Sequence, residues 1–318
     1  MARVLALSDG AAGNENQARA VAAALAPQLD VLQLEPRAPW RWFAPRRIPA
    51  SRHAFGRDFT ARLEPPWPQI AVGCGRQAAL ATRLLGDASG GQCRSVQILD
   101  PRIDPAHFDL VIAPQHDGLV GDNVIQTLGS LNAIDDRWLE QARQAFAQFA
   151  SLPAPRYALL LGGSTRALKL DRAYWDALVA RLSTRLRAEG ASLMLTSSRR
   201  TPDWLRAAAR AGFAAIPGQQ WHGAQDGPNP YAGFLAWADA IVVTPDSVNL
   251  MSEAAATRVP VWTFAPQPIR GKVGHFVDAL HRSGRIRFLG EAAPSGPILP
   301  LRETGRVAAE IRARLGWV

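Results

Sequence analysis

The chain of 318 residues contains only two cysteines, Cys74 and Cys93, and neither lies in a metal-binding spacing. So low a count excludes a disulfide framework and a thiolate-based zinc site, and we expect both thiols to be buried in the core. Long apolar runs are also absent. The first run, residues 4–7, is too short for a secretory signal, and no later one approaches the roughly 20 residues that a membrane-spanning helix needs. These absences predict a cytoplasmic protein.

Lysine is almost missing as well. Of the 36 basic residues, only Lys169 and Lys272 are lysines, so arginine carries nearly all of the formal net charge of +9. A basic chain favours anionic partners such as nucleotides or phospholipid surfaces. The basic residues are dispersed, without the clustered basic helix or the aromatic sheet of nucleic-acid modules, so we expect no nucleic-acid binding.

The length and the order of short apolar runs predict the fold class. Hydrophobic residues make up 47% of the chain and charged residues 20%, which is typical of a soluble globular protein, and 318 residues favour two domains. Short strand-like runs alternate with helix-like segments, which predicts parallel strands joined by helices: two Rossmann-like α/β domains facing each other across a cleft. The predicted strands lie at residues 4–7, 31–34, 70–72, 96–99 and 110–113, and then at 157–161, 192–195, 214–216, 241–244 and 261–264.

A proline-containing stretch at residues 151–155 has no hydrophobic periodicity and indicates a linker. It follows a predicted helix over residues 135–150. We therefore predict an N-terminal domain over residues 1–152 and a C-terminal domain over residues 153–318. The last predicted helix, residues 303–315, has two alternatives, because it could pack on either domain.

Three turns in the second half carry residues suited to a phosphate ligand, and each follows a predicted strand. The first contains Gly162, Gly163, Ser164, Thr165 and Arg166, where glycines let a backbone approach an anion. It is no Walker A loop, because no glycine precedes Lys169, and a simple tight turn is the alternative. The second turn contains Ser197, Arg199 and Arg200, and its arginines could equally be solvated.

The third turn follows residues 241–244 and opens a helix. Asp246 or Ser247 could cap that helix, its first N–H groups could bind a phosphate, and Glu253 could accept bonds from ribose hydroxyls. Capping and solvation are the plain alternatives. Asn229 begins the segment that leads into the same strand, and we count it among the candidate binding residues.

Polar residues also follow strands of the first half. Asp9, Gly13, Asn14 and Gln17 lie in the turn after the first predicted strand and in the helix it opens, and we expect them to contact a substrate. His116 follows the strand over residues 110–113 and stands beside a carboxylate. Histidine suits proton transfer near neutral pH, so His116 is the candidate general base and Asp9 is the reserve.

A rival pattern could indicate a bound dinucleotide. Gly73, Gly75 and Ala78 match G-x-G-x-x-A after a strand, and Asp100 ends the next strand, where an acid could bind a ribose. The match lies in the third strand unit rather than the first, so we favour close packing of helix on strand over NAD binding. The chain lacks His-Glu-x-x-His, Asp-x-Asp and Cys/His clusters, and we therefore predict neither a metal nor a resident cofactor.

The segment over residues 40–47 mixes Trp40, Trp42 and Phe43 with arginines. Such a mixture suits an anionic lipid interface. Tryptophan is usually mostly buried, so a packed loop is the favoured interpretation. Peripheral contact with the inner face of a membrane is the alternative.

Several motifs in their order along the chain resemble the bacterial branch of the "elongated mitochondria" mitochondrial-fission family. They are SDGAAGNENQ from residue 8, DPR from 100 ahead of FDLV, PQHDG from 114 followed by Asn123-Val124, TSSRRTP from 196 and VTPDSVNLMSEA from 243. The family is similar to GT-B glycosyltransferases in fold. The resemblance implies a nucleoside-diphosphate-sugar donor in the C-terminal domain, with Gly163 and Ser164 facing the diphosphate, Ser247 the phosphate and Glu253 the ribose.

Three functional hypotheses follow. The leading one is a metal-independent glycosyltransferase that passes a sugar to a lipid or glycan acceptor. In it, Arg199, Arg200 and Lys272 neutralise the departing diphosphate, and His116 or Asp9 deprotonates the acceptor. The second is an epimerase acting on the donor alone. The third is a binding or recruiting module without catalysis.

Overall fold

A computed structural model describes residues 4–317 as two compact units. The first runs to Ala133 and resumes at Arg302, and the second comprises Ile134–Leu301. The strands are β1 Val4–Ser8, β2 Leu29–Gln33, β3 Ile70–Cys74, β4 Arg94–Ile98, β5 Leu110–Pro114, β6 Val124–Thr127, β7 Arg156–Leu161, β8 Ser192–Ser197, β9 Gly218–Trp221, β10 Ala240–Val243, β11 Val261–Thr263 and β12 Arg287–Phe288.

The α-helices lie between and after these strands. They are α1 Ala12–Leu25, α2 Trp40–Phe43, α3 Gly56–Ala61, α4 Arg76–Ala88, α5 Asp136–Ala145, α6 Arg172–Ala188, α7 Asp203–Gly212, α8 Tyr231–Trp237, α9 Val248–Ala255, α10 Gly271–Arg282 and α11 Thr304–Leu315. Among the described residues, none of these helices combines the length and the apolar character needed to cross a membrane.

Each unit contains one parallel six-stranded sheet. The order is β2-β1-β3-β4-β5-β6 in the first unit and β9-β8-β7-β10-β11-β12 in the second. Parallel strands need crossover connections, and helices supply most of them. The predicted fold class, α/β with two doubly wound parallel sheets, is confirmed.

Both faces of the first sheet are buried, as the alternation of β1 illustrates. Val4 and Ala6 pack in one cluster with residues of α1 and α11, while Leu5 and Leu7 pack in another with residues of α3 and α4. Successive side chains of a strand point to opposite faces, so helices on both sides of the sheet require a continuous apolar run rather than an alternating one. In the second unit β7 and α6 contribute most to a comparable cluster.

The division between the units differs from the expected boundary after residue 152. Helix α5 belongs to the second unit, where Arg143 Nε donates to the carbonyl of Ala236 at 2.8 Å. Behind it, the Phe149 ring lies 5.2 Å from that of Phe234. The proline-containing stretch at residues 151–155, predicted as a linker, therefore lies inside the second unit.

Helix α11 belongs to the first unit. Val307, Ala308 and Ile311 are buried in the same cluster as residues of α1. Its start is also tied to the sheet, because the Glu303 carboxylate accepts from the amides of Leu128 and Gly129, both at 2.9 Å. Contacts between residues more than 170 positions apart in the sequence thus place α11 on the first unit rather than the second.

The prediction of a strand over residues 214–216 was wrong. The structure places β9 at Gly218–Trp221, an edge strand whose polar sequence Gly-Gln-Gln-Trp lacks an apolar pattern. Strands β6 and β12 and helix α10 were not predicted. β6 and β12 are short edge strands that pair on one side, so they need less apolar sequence than the central strands.

Replacement of Ile311 by alanine tests whether α11 belongs to the core of the first unit. Ile311 is fully buried, so Ile311→Ala should lower the free energy of unfolding by about 2–5 kcal/mol, as measured by urea denaturation. Ala313→Ser on the exposed face of the same helix is the control and should change the free energy by less than about 0.5 kcal/mol. Equal effects of the two substitutions would contradict this packing.

Candidate functional site

The strand order of the second unit reverses at β7. From β7 the chain adds β8 and β9 on one side and then crosses back to place β10, β11 and β12 on the other. In open parallel sheets, ligands bind outside the carboxyl ends of the strands at such a reversal. The turns after β8, β7 and β10 are those identified from the sequence, and the sheet brings them together as neighbours.

The Asp246 carboxylate joins the three turns. It is buried and accepts hydrogen bonds from the amide of Gly163 at 3.0 Å, the hydroxyl of Thr244 at 2.7 Å and Nη2 of Arg200 at 2.8 Å. Thr244 Oγ1 in turn accepts from the amide of Gly162 at 2.8 Å. Asp246 was one of two candidates for the helix cap, together with Ser247, but its side chain is bonded to the glycine turn instead.

Burial raises the pKa of Asp246 above its usual range, and the hydrogen bonds from Thr244 and Gly163 and the charge of Arg200 offset only part of that rise. The Arg200 side chain is half exposed, whereas that of Asp246 is inaccessible. The pair therefore presents a guanidinium to solvent over a carboxylate that solvent does not reach.

The close approach of these three turns around Asp246 requires glycine at positions 162 and 163. A Cβ atom at Gly162 would lie against the Asp246 carboxylate, and one at Gly163 would lie against the backbone carbonyl of Arg200. We expected the Gly163 amide to face a diphosphate, but in the structure it donates to Asp246 instead. The glycines allow another group to approach the backbone closely, as their residue type predicted. The groups that approach are other loops of the same chain.

The remainder of the first turn is ordered by its own hydrogen bonds. Ser164 Oγ accepts from the amide of Leu170 at 2.9 Å, and Thr165 Oγ1 accepts from the amides of Ala167 and Leu168 at 3.3 and 3.2 Å. Ser164 and Arg166 are exposed. Hydrogen bonds within the turn thus hold its backbone, and the Arg166 side chain is accessible.

Arg199 lies beside Arg200 and is exposed. Within residues 4–317, no hydrogen bond or ion pair was found for its guanidinium. Arg199 is therefore a cation at the reversal point that could bind an anion without first breaking an internal contact. Lys272 is exposed in the first turn of α10, which follows β11, the strand next to β10.

Helix α9 begins at Val248, two residues after Asp246. Ser247 is its N-cap, and its hydroxyl accepts from the amide of Leu250 at 3.4 Å. The first N–H groups of a helix have no acceptor within it, so those of Val248 and Asn249 can bond to an anion, which the helix dipole also favours. Ser247 thus fills the capping role that the sequence left open between it and Asp246.

Glu253 lies on the second turn of α9 and contacts the start of α8. The Tyr231 hydroxyl donates to its carboxylate, and the Asn229 side-chain oxygen accepts from the Tyr231 amide at 3.0 Å. Burial raises the pKa of Glu253, and the Tyr231 bond opposes that rise, while the pKa of Tyr231 lies well above its usual value. The carboxylate expected to bind ribose is thus already held by a phenol.

His222 was missed by the sequence analysis, because a single histidine after a polar edge strand carries no motif. Its ring is buried, with Nδ1 2.7 Å from Ser197 Oγ and Nε2 3.1 Å from Gln220 Oε1. An amide oxygen only accepts, so Nε2 carries the proton and Nδ1 accepts from Ser197. Desolvation and the charge of Arg210 lower the pKa of His222 to about 4. A neutral imidazole therefore holds the end of β8.

Another polar cluster lies at the order reversal of the first unit, between β1 and β3. Asp9 accepts from the amide of Ala11 and from Asn14 Nδ2, both at 3.2 Å, and Asn14 Oδ1 lies 3.7 Å from the buried Cys74 thiol. Burial raises the pKa of that thiol. Asp9 and Asn14 therefore lie at the same sheet edge and contact each other.

Gln17, which we expected to bind a substrate, is instead buried in α1. Its Nε2 donates to the carbonyl of Gly13 at 3.2 Å, and its Oε1 accepts from the amide of Leu131 at 3.3 Å. The first bond lies within α1, and the second links the helix to the segment that follows β6. The Gln17 amide is therefore occupied by contacts within the first unit.

His116 lies in a short 3₁₀ turn after β5, half-buried, at the same sheet edge as Asp9. Strands β3 and β4 separate β1 from β5, so three strand spacings place these two strands about 14 Å apart. The two candidate bases therefore follow strands that are not neighbours in the sheet.

The glycines of the rival dinucleotide pattern have packing roles. A Cβ atom at Gly73 would meet Ala78 and Thr82 of α4, and one at Gly75 would meet Asn14. Close approach of helix to strand accounts for Gly73 and Ala78, as the sequence analysis favoured. Within residues 4–317, no group of three or more His, Cys, Asp or Glu side chains is arranged to hold a metal ion.

Comparisons with known proteins identify the family and the fold of the chain. The sequence family described as Mitochondrial fission ELM1 matches residues 12–315. The Arabidopsis thaliana protein described as Mitochondrial fission protein ELM1 is 30% identical over 288 residues, which cover 79% of this chain and 65% of the relative. The chain therefore spans just under two thirds of that relative's length.

Solved structures are similar in fold. UDP-GlcNAc 2-epimerase from Methanocaldococcus jannaschii has a TM-score of 0.59 at 13% identity, with both chains covered completely. A UDP-glucosyltransferase from Polygonum tinctorium has a TM-score of 0.51 at 12% identity, covering 99% of this chain and 88% of that one. At such identities the likeness establishes the fold alone, which is of the GT-B type.

Acidification tests the neutral state of His222. Because its pKa in the folded protein lies near 4 and that of an unfolded histidine near 6.5, the unfolded chain binds the extra proton first, and stability is lost as the pH falls through this window. The full loss is about 3 kcal/mol. His222→Gln should remove this part of the pH dependence in urea denaturation between pH 7 and pH 4.

The exposed His275 of the same unit provides the control for the substitution itself, since His275→Gln should change the free energy of unfolding at pH 7 by less than about 0.5 kcal/mol. Parallel acid destabilisation of wild type and His222→Gln would show that the imidazole is not held neutral in the fold.

Proposed function

Because the chain belongs to the Mitochondrial fission ELM1 family and has the GT-B fold, we propose that it binds the diphosphate of a nucleotide sugar. The proposed place is the carboxyl edge of the second sheet, between β7 and β10. One observation carries the proposal: three turns from adjacent strands meet at Asp246, with Arg200, Arg199 and the start of α9 around it.

The ligand would use donors that the fold leaves available. Arg199 offers a guanidinium without an internal partner in the described chain, and α9 offers the amides of Val248 and Asn249. Arg200 could turn its exposed guanidinium to a phosphate while keeping its place over Asp246. Since guanidinium matches phosphate in geometry and stays charged, these groups suit a diphosphate better than a neutral ligand.

We propose further roles for the remaining candidates. Ser164 and Arg166 would approach the diphosphate from the glycine turn, Lys272 would add charge from α10, and Glu253 would bind the ribose. For Glu253 to do so, a ribose hydroxyl would have to share or replace the bond from Tyr231. Asn229, at the start of the same segment, would lie on the nucleoside side.

Transfer of the sugar to a lipid or glycan acceptor is the leading form of the proposal. The donor groups above would stabilise the diphosphate as the glycosidic bond breaks, and a base would remove the proton of the acceptor hydroxyl. His116 and Asp9 remain the proposed bases. They follow strands about 14 Å apart in the sheet, and we propose that one of them serves.

Two other functions keep specific support. Epimerisation of the donor is supported by the similarity to UDP-GlcNAc 2-epimerase, and it would give a product without any acceptor. A binding or recruiting module is supported by the mitochondrial-fission relative and by the internal use of the Gly163 amide and the Glu253 carboxylate. Such a binding module would bind the nucleotide sugar without converting it to a product.

Arg199→Ala tests the binding site. In the wild type, a matching nucleotide sugar should raise the melting temperature in a panel of UDP-, GDP- and ADP-sugars with NAD(H), because a ligand of the folded state stabilises it. The substitution should weaken binding about tenfold or more, the worth of a charge-assisted hydrogen bond. Arg187→Ala, in the last turn of α6 at the opposite sheet edge, should retain wild-type affinity.

Unchanged affinity of Arg199→Ala for every nucleotide that binds the wild type would remove the site from consideration. Stabilisation by NAD(H) alone would favour the dinucleotide interpretation.

Separate substitutions of the two bases test the transferase form. His116→Ala or Asp9→Asn, whichever removes the true base, should lower turnover about 10²- to 10⁴-fold while the affinity for the nucleotide sugar stays within about twofold. Product analysis with and without acceptors measures turnover and identifies epimerisation. His107→Ala, an exposed histidine of the same unit, is the control. If both base variants turn over like the wild type, neither residue is the base.

A further inference from the structure

The segment between β2 and β3 concentrates positive charge. Residues 37–57 contain no Asp or Glu, and they contribute +6 to the chain's formal net charge of +9. The arginines are Arg37, Arg41, Arg46, Arg47, Arg52 and Arg57. All six are exposed, so the charge forms a surface rather than a set of buried ion pairs.

Two large aromatic side chains protrude from the same segment. Trp42 is 61% exposed and Phe43 is 49% exposed, although both belong to the short helix α2. The Arg41 guanidinium carbon lies 5.2 Å from the centre of the Trp42 ring. Tryptophan is usually mostly buried, so two adjacent exposed aromatics beside arginines require an explanation other than packing.

The helix that carries them is anchored. Trp40 packs against a core cluster of the first unit, and its Nε1 donates to the carbonyl of Pro49 at 3.0 Å. The carbonyl of Arg41 accepts from Gln77 Nε2 at 2.9 Å and from Arg76 Nη2 at 3.1 Å. Trp40 and the side chains of Gln77 and Arg76 on α4 therefore anchor α2, while Trp42 and Phe43 are exposed to solvent.

A basic pocket lies on the same segment. It has a volume of about 460 Å³ and is lined by Arg37, Arg52, His53 and Arg57, with Thr60 and Glu64 at its side. Arg37 and Arg52 have acidic neighbours at 3.8 and 3.6 Å, in Glu35 and Glu64, whereas no ion pair was found for Arg57 within residues 4–317. Arg37 precedes α2 by one helical turn, since its carbonyl accepts from the Arg41 amide at 2.8 Å.

We propose that residues 37–57 form a membrane-binding surface for anionic phospholipids. Trp42 and Phe43 would enter the interfacial layer, where amphipathic aromatic rings are favoured. Arg41 and Arg46 would contact lipid phosphates beside them, and the pocket of Arg52 and Arg57 would hold one headgroup phosphate. Charge complementarity to an anionic leaflet and the outward aromatic pair support this occupant.

A single-stranded nucleic acid would use similar residue types but a different arrangement. It needs a groove with a succession of stacking platforms along the strand. Here the exposed aromatics are two consecutive residues of one short helix. That geometry suits insertion at one point of a surface, so the lipid surface is the better match, and nucleic acid becomes an outcome of the test.

Vesicle sedimentation with the full chain tests the proposal. The protein should bind vesicles of phosphatidylcholine with 30% phosphatidylglycerol and remain in solution with phosphatidylcholine alone. Trp42→Ser/Phe43→Ser should weaken binding about tenfold or more, because two apolar side chains lose their burial in the interface. Arg52→Gln/Arg57→Gln should weaken it about tenfold or more, given the contribution of each basic residue near an anionic surface.

Matched variants of the second unit provide the controls. Leu299→Ser removes an exposed apolar side chain, and Arg187→Gln/Arg282→Gln removes two exposed arginines, so both should bind like the wild type. Since the altered residues are exposed, melting temperatures should agree within about 2 °C. If the aromatic variant folds poorly, the arginine variant carries the test.

Three outcomes would overturn the proposal. They are equal binding to vesicles with and without anionic lipid, unchanged vesicle binding in both segment variants, and binding of an oligothymidine, abolished by these substitutions, without vesicle binding. None of them depends on nucleotide-sugar binding, so this proposal and the proposed function can fail separately.

Discussion

The buried carboxylate of Asp246 is the contact on which the candidate site depends. Placing a charged group out of water is costly, and it persists here because an amide, a hydroxyl and a guanidinium from three turns all donate to it. Each donor comes from a different strand end. The carboxylate therefore sets the spacing of the glycine turn, the Arg200 turn and the start of α9, and it fixes where the exposed Arg199 stands.

The two units use the same kind of sheet but differ at the point where strand order reverses. In the second unit the reversal between β7 and β10 combines a carboxylate with arginines, which favours an anionic ligand. In the first unit the reversal between β1 and β3 brings together Asp9, Asn14 and a buried thiol. The two sheets also differ in strand order, since one strand lies beyond β1 in the first unit and two lie beyond β7 in the second. The two sheet edges therefore differ both in topology and in chemistry.

The membrane surface proposed for residues 37–57 does not depend on a sheet edge. The segment is not part of either sheet. All six of its arginines are exposed, and three of them, Arg37, Arg47 and Arg52, lie beside acidic side chains. What the fold contributes is the anchoring of α2 through Trp40 and α4. A rigid base lets the aromatic pair stay exposed instead of collapsing onto the core.

Apolar runs and glycine-rich turns could be recognised in the sequence because strands buried on both faces must be apolar throughout, and because the backbone around Gly162 and Gly163 leaves no room for a Cβ. The same reasoning found the three turns of the candidate site. It failed for β9, an edge strand of Gly-Gln-Gln-Trp, because an edge strand needs little apolar sequence. It also failed for His222, because the Ser197 hydroxyl that it contacts lies on another strand.

The sequence by itself thus determined the α/β class, the glycine turns and the residue types available at each strand end, since these depend on local periodicity and backbone freedom. Tertiary structure alone decided that Gly163 donates to Asp246, that Tyr231 holds Glu253 and that α11 joins the first unit. These contacts join residues from 22 to well over 100 positions apart. Strand order and packing determine these contacts, and no local sequence pattern predicts either of them.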